Sequence, residues 1–181
     1  MATVLVPLAH GCEELEAVTI IDLLRRAGIT VTVAGLEAGP VTASRGVVLL
    51  PEITLDAVLD RDFDMVVLPG GLGGAQRLEA DQRITALLRR MAEQGRYVAA
   101  ICAAPKVLAS AGLLENREAT AYPGILDGRT DLRLSSAAVV RDGTFITSRG
   151  PGTALDFALS LIEILSGREQ RDTVETALQR P

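Results

Sequence analysis

The stretch Tyr97-Val98-Ala99-Ala100-Ile101-Cys102-Ala103-Ala104-Pro105 constrains this chain more than any other. Its first five residues form an apolar, partly β-branched run too short for a stable helix, so it reads as a buried central strand. Two alanines and a proline follow. Proline suits a first helical turn, so a short helix is expected through Lys106, Val107 and Leu108. Cys102 then occupies the corner between strand and helix, the arrangement of a nucleophile elbow. A helix N-terminus stabilises negative charge, so a thiol placed there is expected to lean toward thiolate. The plainer reading is a buried, inert cysteine near a strand end.

At 181 residues and 48% hydrophobic, the chain can bury the core of one domain, expected to span 1–181. Aromatic residues make up 3%, tryptophan is absent and the net charge is −5, which argues against a nucleic-acid surface. The N-terminus Met1-Ala2-Thr3-Val4-Leu5-Val6-Pro7 lacks a basic region, and no apolar run reaches bilayer length. A cytoplasmic protein without membrane partners is expected. Two cysteines and one histidine cannot make a structural zinc site, so no metal is expected. Cysteine chemistry in a reducing compartment should be catalytic or redox-sensing.

Thr3 to Leu8 reads as the first strand, and Gly11-Cys12-Glu13 turns into a helix that runs to about Ala27. On its wheel Glu14, Thr19, Asp22, Arg25 and Arg26 fall on a polar side, and Ala17, Ile20, Leu23, Leu24 and Ala27 on an apolar side. Glu16 falls among the apolar residues. Desolvation there raises a carboxyl pKa, so Glu16 needs a partner or a task. Glu13 points the same way, but capping or the helix dipole explains it.

Strands are expected at Ile29–Gly35 and Met65–Leu68, with a small hairpin of Val41–Ser44 and Val47–Leu50 between them. Pro69-Gly70-Gly71-Leu72-Gly73-Gly74 reads as a loop that is either plainly flexible or a wall of N–H groups. Asp81–Gln94 is an amphipathic helix, Glu118–Tyr122 a strand, and Asp142-Gly143 the turn of a hairpin. Ala154–Leu165 is a helix whose wide apolar arc needs a second surface: the C-terminal helix through Val174 and Leu178, or another subunit. Strand–helix alternation implies an α/β sandwich around a mostly parallel sheet, with ligands bound beyond the strands' carboxyl ends. Gly11, Gly70-Gly71 and Cys102 all follow strands, so they belong on one edge.

These motifs together resemble the ThiJ/PfpI superfamily, in the branch of Parkinson disease protein 7 and its bacterial chaperone and deglycase relatives. Gly11 to Glu16 is similar to the family's glutamate helix, Val67 to Gly71 to its glycine loop, and Ala99 to Pro105 to its cysteine elbow. Ser148 to Thr153 is similar to the segment that begins its late helix. The resemblance implies a flavodoxin-like three-layer sandwich and a homodimer packed around the first helix and the late loop. It implies that Cys102 is an oxidation-prone nucleophile bonded to a protonated Glu16, with the Gly71 and Ala103 amides as an oxyanion site. Family members with a third catalytic residue often have a histidine before a proline, where Tyr122-Pro123 stands here. A peptidase would need a histidine where Ala103 stands, and a glutaminase a downstream His-Glu pair that is missing.

Two functions follow. The first is a cofactor-independent enzyme whose substrate is a small reactive carbonyl, methylglyoxal or glyoxal or their early protein adducts, converted to 2-hydroxy acids. The second is a redox sensor or redox-dependent chaperone in which Cys102 is oxidised to sulfinic acid. Accessory candidates are Tyr122, Cys12 and His10. Cys12 would share a helical face with Glu16 if the helix began that early, and could then bridge to Cys102; His10 reads as a solvated loop residue on the functional edge.

Overall fold

Parallel strands cannot be joined by tight turns, so short apolar runs that alternate with amphipathic segments become strands linked by helical crossovers. A computed structural model, which describes residues 1–180, shows this arrangement. In chain order the elements are β1 (Thr3–Leu8), α1 (Glu14–Arg26), β2 (Thr30–Gly35), β3 (Val41–Thr42), β4 (Val48–Leu49) and β5 (Ile53–Thr54). There follow β6 (Met65–Leu68), α2 (Leu72–Ala80), α3 (Gln82–Glu93), β7 (Tyr97–Ile101) and α4 (Pro105–Ser110). The last are β8 (Glu118–Ala119), β9 (Arg133–Leu134), β10 (Val139–Asp142), β11 (Phe145–Ser148), α5 (Ala154–Ser166) and α6 (Arg168–Ala177).

Seven strands form one sheet in the order β10-β11-β7-β6-β1-β2-β5, parallel throughout except for the β10–β11 hairpin. Side chains alternate across it, as the pleat requires. Val4, Val6, Met65, Val67, Ala99 and Ile101 face a core shared with α1 and α5. Leu5, Val66, Leu68, Val98 and Ala100 face a second core with α2, α3 and α4. This is the expected flavodoxin-like three-layer sandwich. The wide apolar arc of α5 is covered within the chain: Phe157, Ala158, Leu161 and Ile162 are buried, in one core with Ile20 and Leu24 of α1 and Val174 of α6.

Chain direction decides where function can sit. After β1 the chain moves outward to β2, then returns to lay β6 on the other side of β1, and β7 beyond it. The crevice at such a reversal opens at the carboxyl ends of the strands. Gly11, Gly70 and Cys102 follow β1, β6 and β7, three neighbours in the sheet.

Four local expectations are corrected. The glycine-rich stretch is not a loop throughout, because α2 begins at Leu72 and includes Gly73 and Gly74. There the small residues let the helix approach the β1–α1 loop: a Cβ on Gly74 would lie 2.7 Å from the Cys12 backbone. The strand after the elbow shrinks to Glu118–Ala119, which pairs with Arg133–Leu134 outside the main sheet. Glu14 is buried rather than on a solvated face. Helix α1 starts at Glu14 with Glu13 as its cap, so Cys12 precedes the helix and does not share a helical face with Glu16. No helix among the described residues is long and apolar enough to cross a membrane.

Candidate active site

Cys102 has φ +65°, a left-handed conformation that a non-glycine residue adopts only under constraint. Two backbone hydrogen bonds hold it there. The Cys102 amide donates to the Ser148 carbonyl at 2.9 Å, and the Cys102 carbonyl accepts from the Tyr122 amide at 2.9 Å. The corner lifts the thiol out of the sheet, and Pro105 opens α4 three residues later. The residue is 8% exposed, so the sulfur is sheltered but reachable. The Gly71 and Ala103 amides both donate toward it.

Glu16 lies in the first turn of α1 and is fully buried. Its Oε2 accepts from the Gly70 amide at 2.8 Å. Oε1 is buried with no hydrogen-bond donor directed at it, which suits the protonated oxygen of a carboxylic acid. The Gly70 carbonyl in turn accepts from the Glu13 amide at 2.9 Å, which pins the glycine to the start of α1. Only glycine fits at position 70. A Cβ there would lie 2.6 Å from Glu16 Oε2 and 2.6 Å from Cys102 Cβ, so carboxyl and thiol close around this one backbone unit.

Burial pushes the Glu16 carboxyl up to about 7 against the Gly70 amide and the Cys102 side chain, which favour its ionised form. Burial likewise pushes the Cys102 thiol up, to about 12, reinforced by the Glu16 charge and hydrogen bond, with the Gly71 and Ala103 amides opposing. The expected thiolate tendency of the elbow is therefore corrected. Desolvation and the carboxylate outweigh the amide dipoles, so near neutral pH the thiol keeps its proton while Glu16 is poised between acid and carboxylate. Thiolate forms when that proton resides on Glu16.

Tyr122 stands half-exposed beside the sulfur. Gly150 separates them: a Cβ on it would meet Tyr122 Cδ2 at 3.2 Å and Cys102 Sγ at 3.9 Å. Tyr122, Arg149, Gly150 and Pro151 line a cleft of about 280 Å³ whose Gly150 wall adjoins the elbow. The Gly150 turn is held by Thr153, whose Oγ1 accepts from the Gly150 amide at 3.1 Å and bonds Ser148 Oγ at 2.7 Å. The role of Gly150 was invisible in the sequence because only the fold brings this glycine to the elbow. Cys12 is fully buried, its thiol pushed up to about 11 by burial and by Glu14, and both cysteines are free. His10 lines a separate cavity, where its Nδ1 accepts from the Thr42 amide at 3.0 Å.

Comparison with known proteins places this geometry in a family. The DJ-1/PfpI family model matches residues 2–164, and the chain belongs to that family. The Drosophila melanogaster protein dj-1beta is 46% identical over 177 residues, which cover 96% of this chain and 95% of that protein. The Drosophila DJ-1beta crystal structure superposes with a TM-score of 0.96 at 44% identity, covering 99% of this chain and 98% of that one. Protein DJ-1 homolog B of Arabidopsis thaliana is 44% identical over 169 residues, 92% of this chain, which spans 39% of that longer relative. A Caenorhabditis elegans relative named glutathione-independent glyoxalase DJR-1.2 is 34% identical over 175 residues, 96% of this chain and 92% of that protein.

Proposed function

We propose that this protein is a cofactor-independent cysteine enzyme that converts 2-oxoaldehydes such as methylglyoxal and glyoxal, or their early adducts on proteins, to 2-hydroxy acids. The observation that carries the reading is a buried carboxyl and a reachable thiol gathered around the Gly70 amide, with backbone donors aimed at the sulfur. The name of the Caenorhabditis elegans relative supports the same chemistry.

With the thiol proton on Glu16, the Cys102 thiolate adds to the aldehyde carbon of methylglyoxal, and the carbonyl π electrons move onto oxygen. The Gly71 and Ala103 amides stabilise that oxyanion, and Glu16 protonates it to give a hemithioacetal. Glu16, now a carboxylate, removes the hydrogen on the former aldehyde carbon as a proton and passes it to the ketone oxygen, giving an enediol; it then takes the hydroxyl proton from the former aldehyde carbon and delivers it to the neighbouring carbon. The product is a lactoyl thioester on Cys102. One water hydrolyses it to lactate and restores the thiol proton, so methylglyoxal plus water becomes lactic acid with no external oxidant. Tyr122 lines the cleft on the Gly150 side of the elbow and shapes it.

A second reading is favoured by the same donors. Sulfur oxidised by peroxide to sulfinic acid would be held by the Glu16 proton and the two amides, as a redox sensor or redox-dependent chaperone requires. In either reading we place the protein in the cytoplasm as a homodimer. Leu15 and Val18 on the outer face of α1, and Val47, Val48 and Leu50 around β4, are exposed apolar side chains suited to a second copy.

The deciding experiment is methylglyoxal turnover with lactate detection in thiol-free buffer, for the unmodified protein, Cys102→Ser and Glu16→Gln. Turnover abolished in both variants is expected. Equal turnover in all three would refute the enzyme. No turnover in any, with Cys102 found as sulfinic acid by mass spectrometry after mild peroxide, would establish the sensor instead.

A further inference from the structure

The carboxyl ends of β1 and β2 frame a cavity of about 370 Å³ that the Cys102 chemistry does not use. His10 follows β1, Leu36 and Glu37 follow β2, and Arg77 reaches in from α2. Its volume falls in the lower part of the range of small-molecule sites, and its position at strand ends is where α/β sheets bind ligands.

Three groups on its wall are prepared for a ligand. Arg77 Nη1 donates to the His10 carbonyl at 3.2 Å and to the Gly73 carbonyl at 3.1 Å, which fixes the guanidinium. Among the described residues it has no carboxylate partner, unlike neighbouring Arg83, which is consumed by Asp81 and Asp56. The Thr42 amide donates to His10 Nδ1 at 3.0 Å, so that nitrogen is unprotonated and Nε2 carries the imidazole hydrogen. Glu37 is exposed and has no hydrogen-bond or ion-pair partner among the described residues. Leu36 and Val41 supply apolar wall between these polar groups.

The unpaired groups are thus one cation, one neutral donor and one anion. A simple anion would satisfy Arg77 and His10 but leave Glu37 facing like charge. We propose that this cavity binds a small α-amino acid, its carboxylate on Arg77 and the His10 Nε2–H, its ammonium on Glu37. The inference is independent of the chemistry assigned to Cys102.

His10 is the only histidine in the chain, so its imidazole C–H resonances report on the cavity without ambiguity. L-alanine, L-lactate and propionate form an isosteric series that places an ammonium, a hydroxyl or a hydrogen opposite Glu37. Titrated into the unmodified protein, L-alanine should give a saturable shift of the His10 signals. It should bind about tenfold more tightly than the other two, the worth of one charge-assisted contact. Arg77→Gln should abolish saturation. Because Arg77 also anchors the His10 backbone, Glu37→Gln is the second variant: it touches nothing that holds the fold and should bring L-alanine down to the affinity of L-lactate. No saturable shift with L-alanine, or equal affinity for all three compounds, overturns the proposal. So does an L-alanine preference that survives Glu37→Gln.

Discussion

Glu14 and Glu16 sit two residues apart in the first turn of α1, both buried, and the fold treats them oppositely. Glu14 is clasped by the loop around β3 and β4. It accepts from Ser44 Oγ at 3.0 Å, from the Arg45 amide at 2.8 Å and from the Val47 amide at 3.4 Å. Burial works to raise its carboxyl, but its own amide and these donors outweigh it and hold the pKa below the usual carboxylate range. Glu16 has one amide, from Gly70, and an oxygen with none, so burial prevails and its carboxyl rises to about 7. Burial alone does not decide the charge of a carboxyl. The number of donors aimed at it does.

If Glu16 carries the mobile proton and Glu14 only a structural charge, Glu16→Gln should lower methylglyoxal turnover about a thousandfold, within the span of a lost general acid–base. Glu14→Gln should leave turnover per folded molecule within a factor of about three, because Glu14 is not among the groups that shift either Glu16 or Cys102. Glu16→Gln should also move the pH profile of Cys102 alkylation by iodoacetamide to lower pH, since it removes the carboxylate that raises the thiol. An unmoved profile would uncouple the pair.

Stability against pH separates the two carboxyls by sign. Glu16 is raised in the folded state, so between about 4.5 and 7 the native chain binds more protons than the unfolded one. Its contribution is full below that window and is lost as pH rises through it, by about 3 kcal/mol in all. Glu16→Gln, which keeps an acceptor for the Gly70 amide, should match the unmodified protein at pH 4 and exceed it by up to about that amount at pH 8 in urea unfolding. Glu14 is lowered in the folded state, so its contribution is present above the ordinary carboxyl range and lost as pH falls through the native pKa. Glu14→Gln should destabilise by about 2 kcal/mol at neutral pH, as donors to a charged group lose it, with the gap closing in acid. The same sign of pH dependence for both variants would contradict the assignment.

What the sequence made legible was what local chemistry decides. The apolar run ending at Ile101, the proline at 105 and the apolar setting of Glu16 each follow from neighbours within a turn or two, and the elbow and the buried acid were read from them. The Asp142-Gly143 signal located its hairpin, although the ladder closes at Asp142–Phe145 around Gly143-Thr144, one residue later than the motif suggests. What stayed hidden depends on chain far away. Glu14 reads as solvated on a helical wheel because its donors lie about thirty positions on, in a hairpin turn whose placement against α1 only the fold decides. Gly150 reads only as part of the segment that begins the late helix until β11 places it against Tyr122 and Cys102. The protonation of the thiol was misjudged for a related reason. A helix N-terminus is visible in sequence, but the desolvation that overcomes it is a property of the assembled layers.

The smallest effect asks whether the clasp and the acid pocket are energetically separate. Ser44 joins them, since its hydroxyl reaches Glu13 Oε2 at 2.7 Å and Glu14 Oε2 at 3.0 Å, and its amide donates to the Cys12 carbonyl at 2.8 Å. Glu13 in turn adds a charge that raises Glu16. One hydroxyl proton serves only one of the two carboxylates at a time, so Ser44→Ala should cost about 1 kcal/mol, the net worth of one hydrogen bond. Combined with Glu16→Gln at pH 8, the two changes should add to within about 0.5 kcal/mol, because no donor to Glu14 is also a donor to Glu16. Coupling well beyond that margin would show that Glu13 relays the state of the clasp to the acid. The two carboxyls would then titrate as one system, and the pH dependence of turnover would have to shift in Ser44→Ala as well.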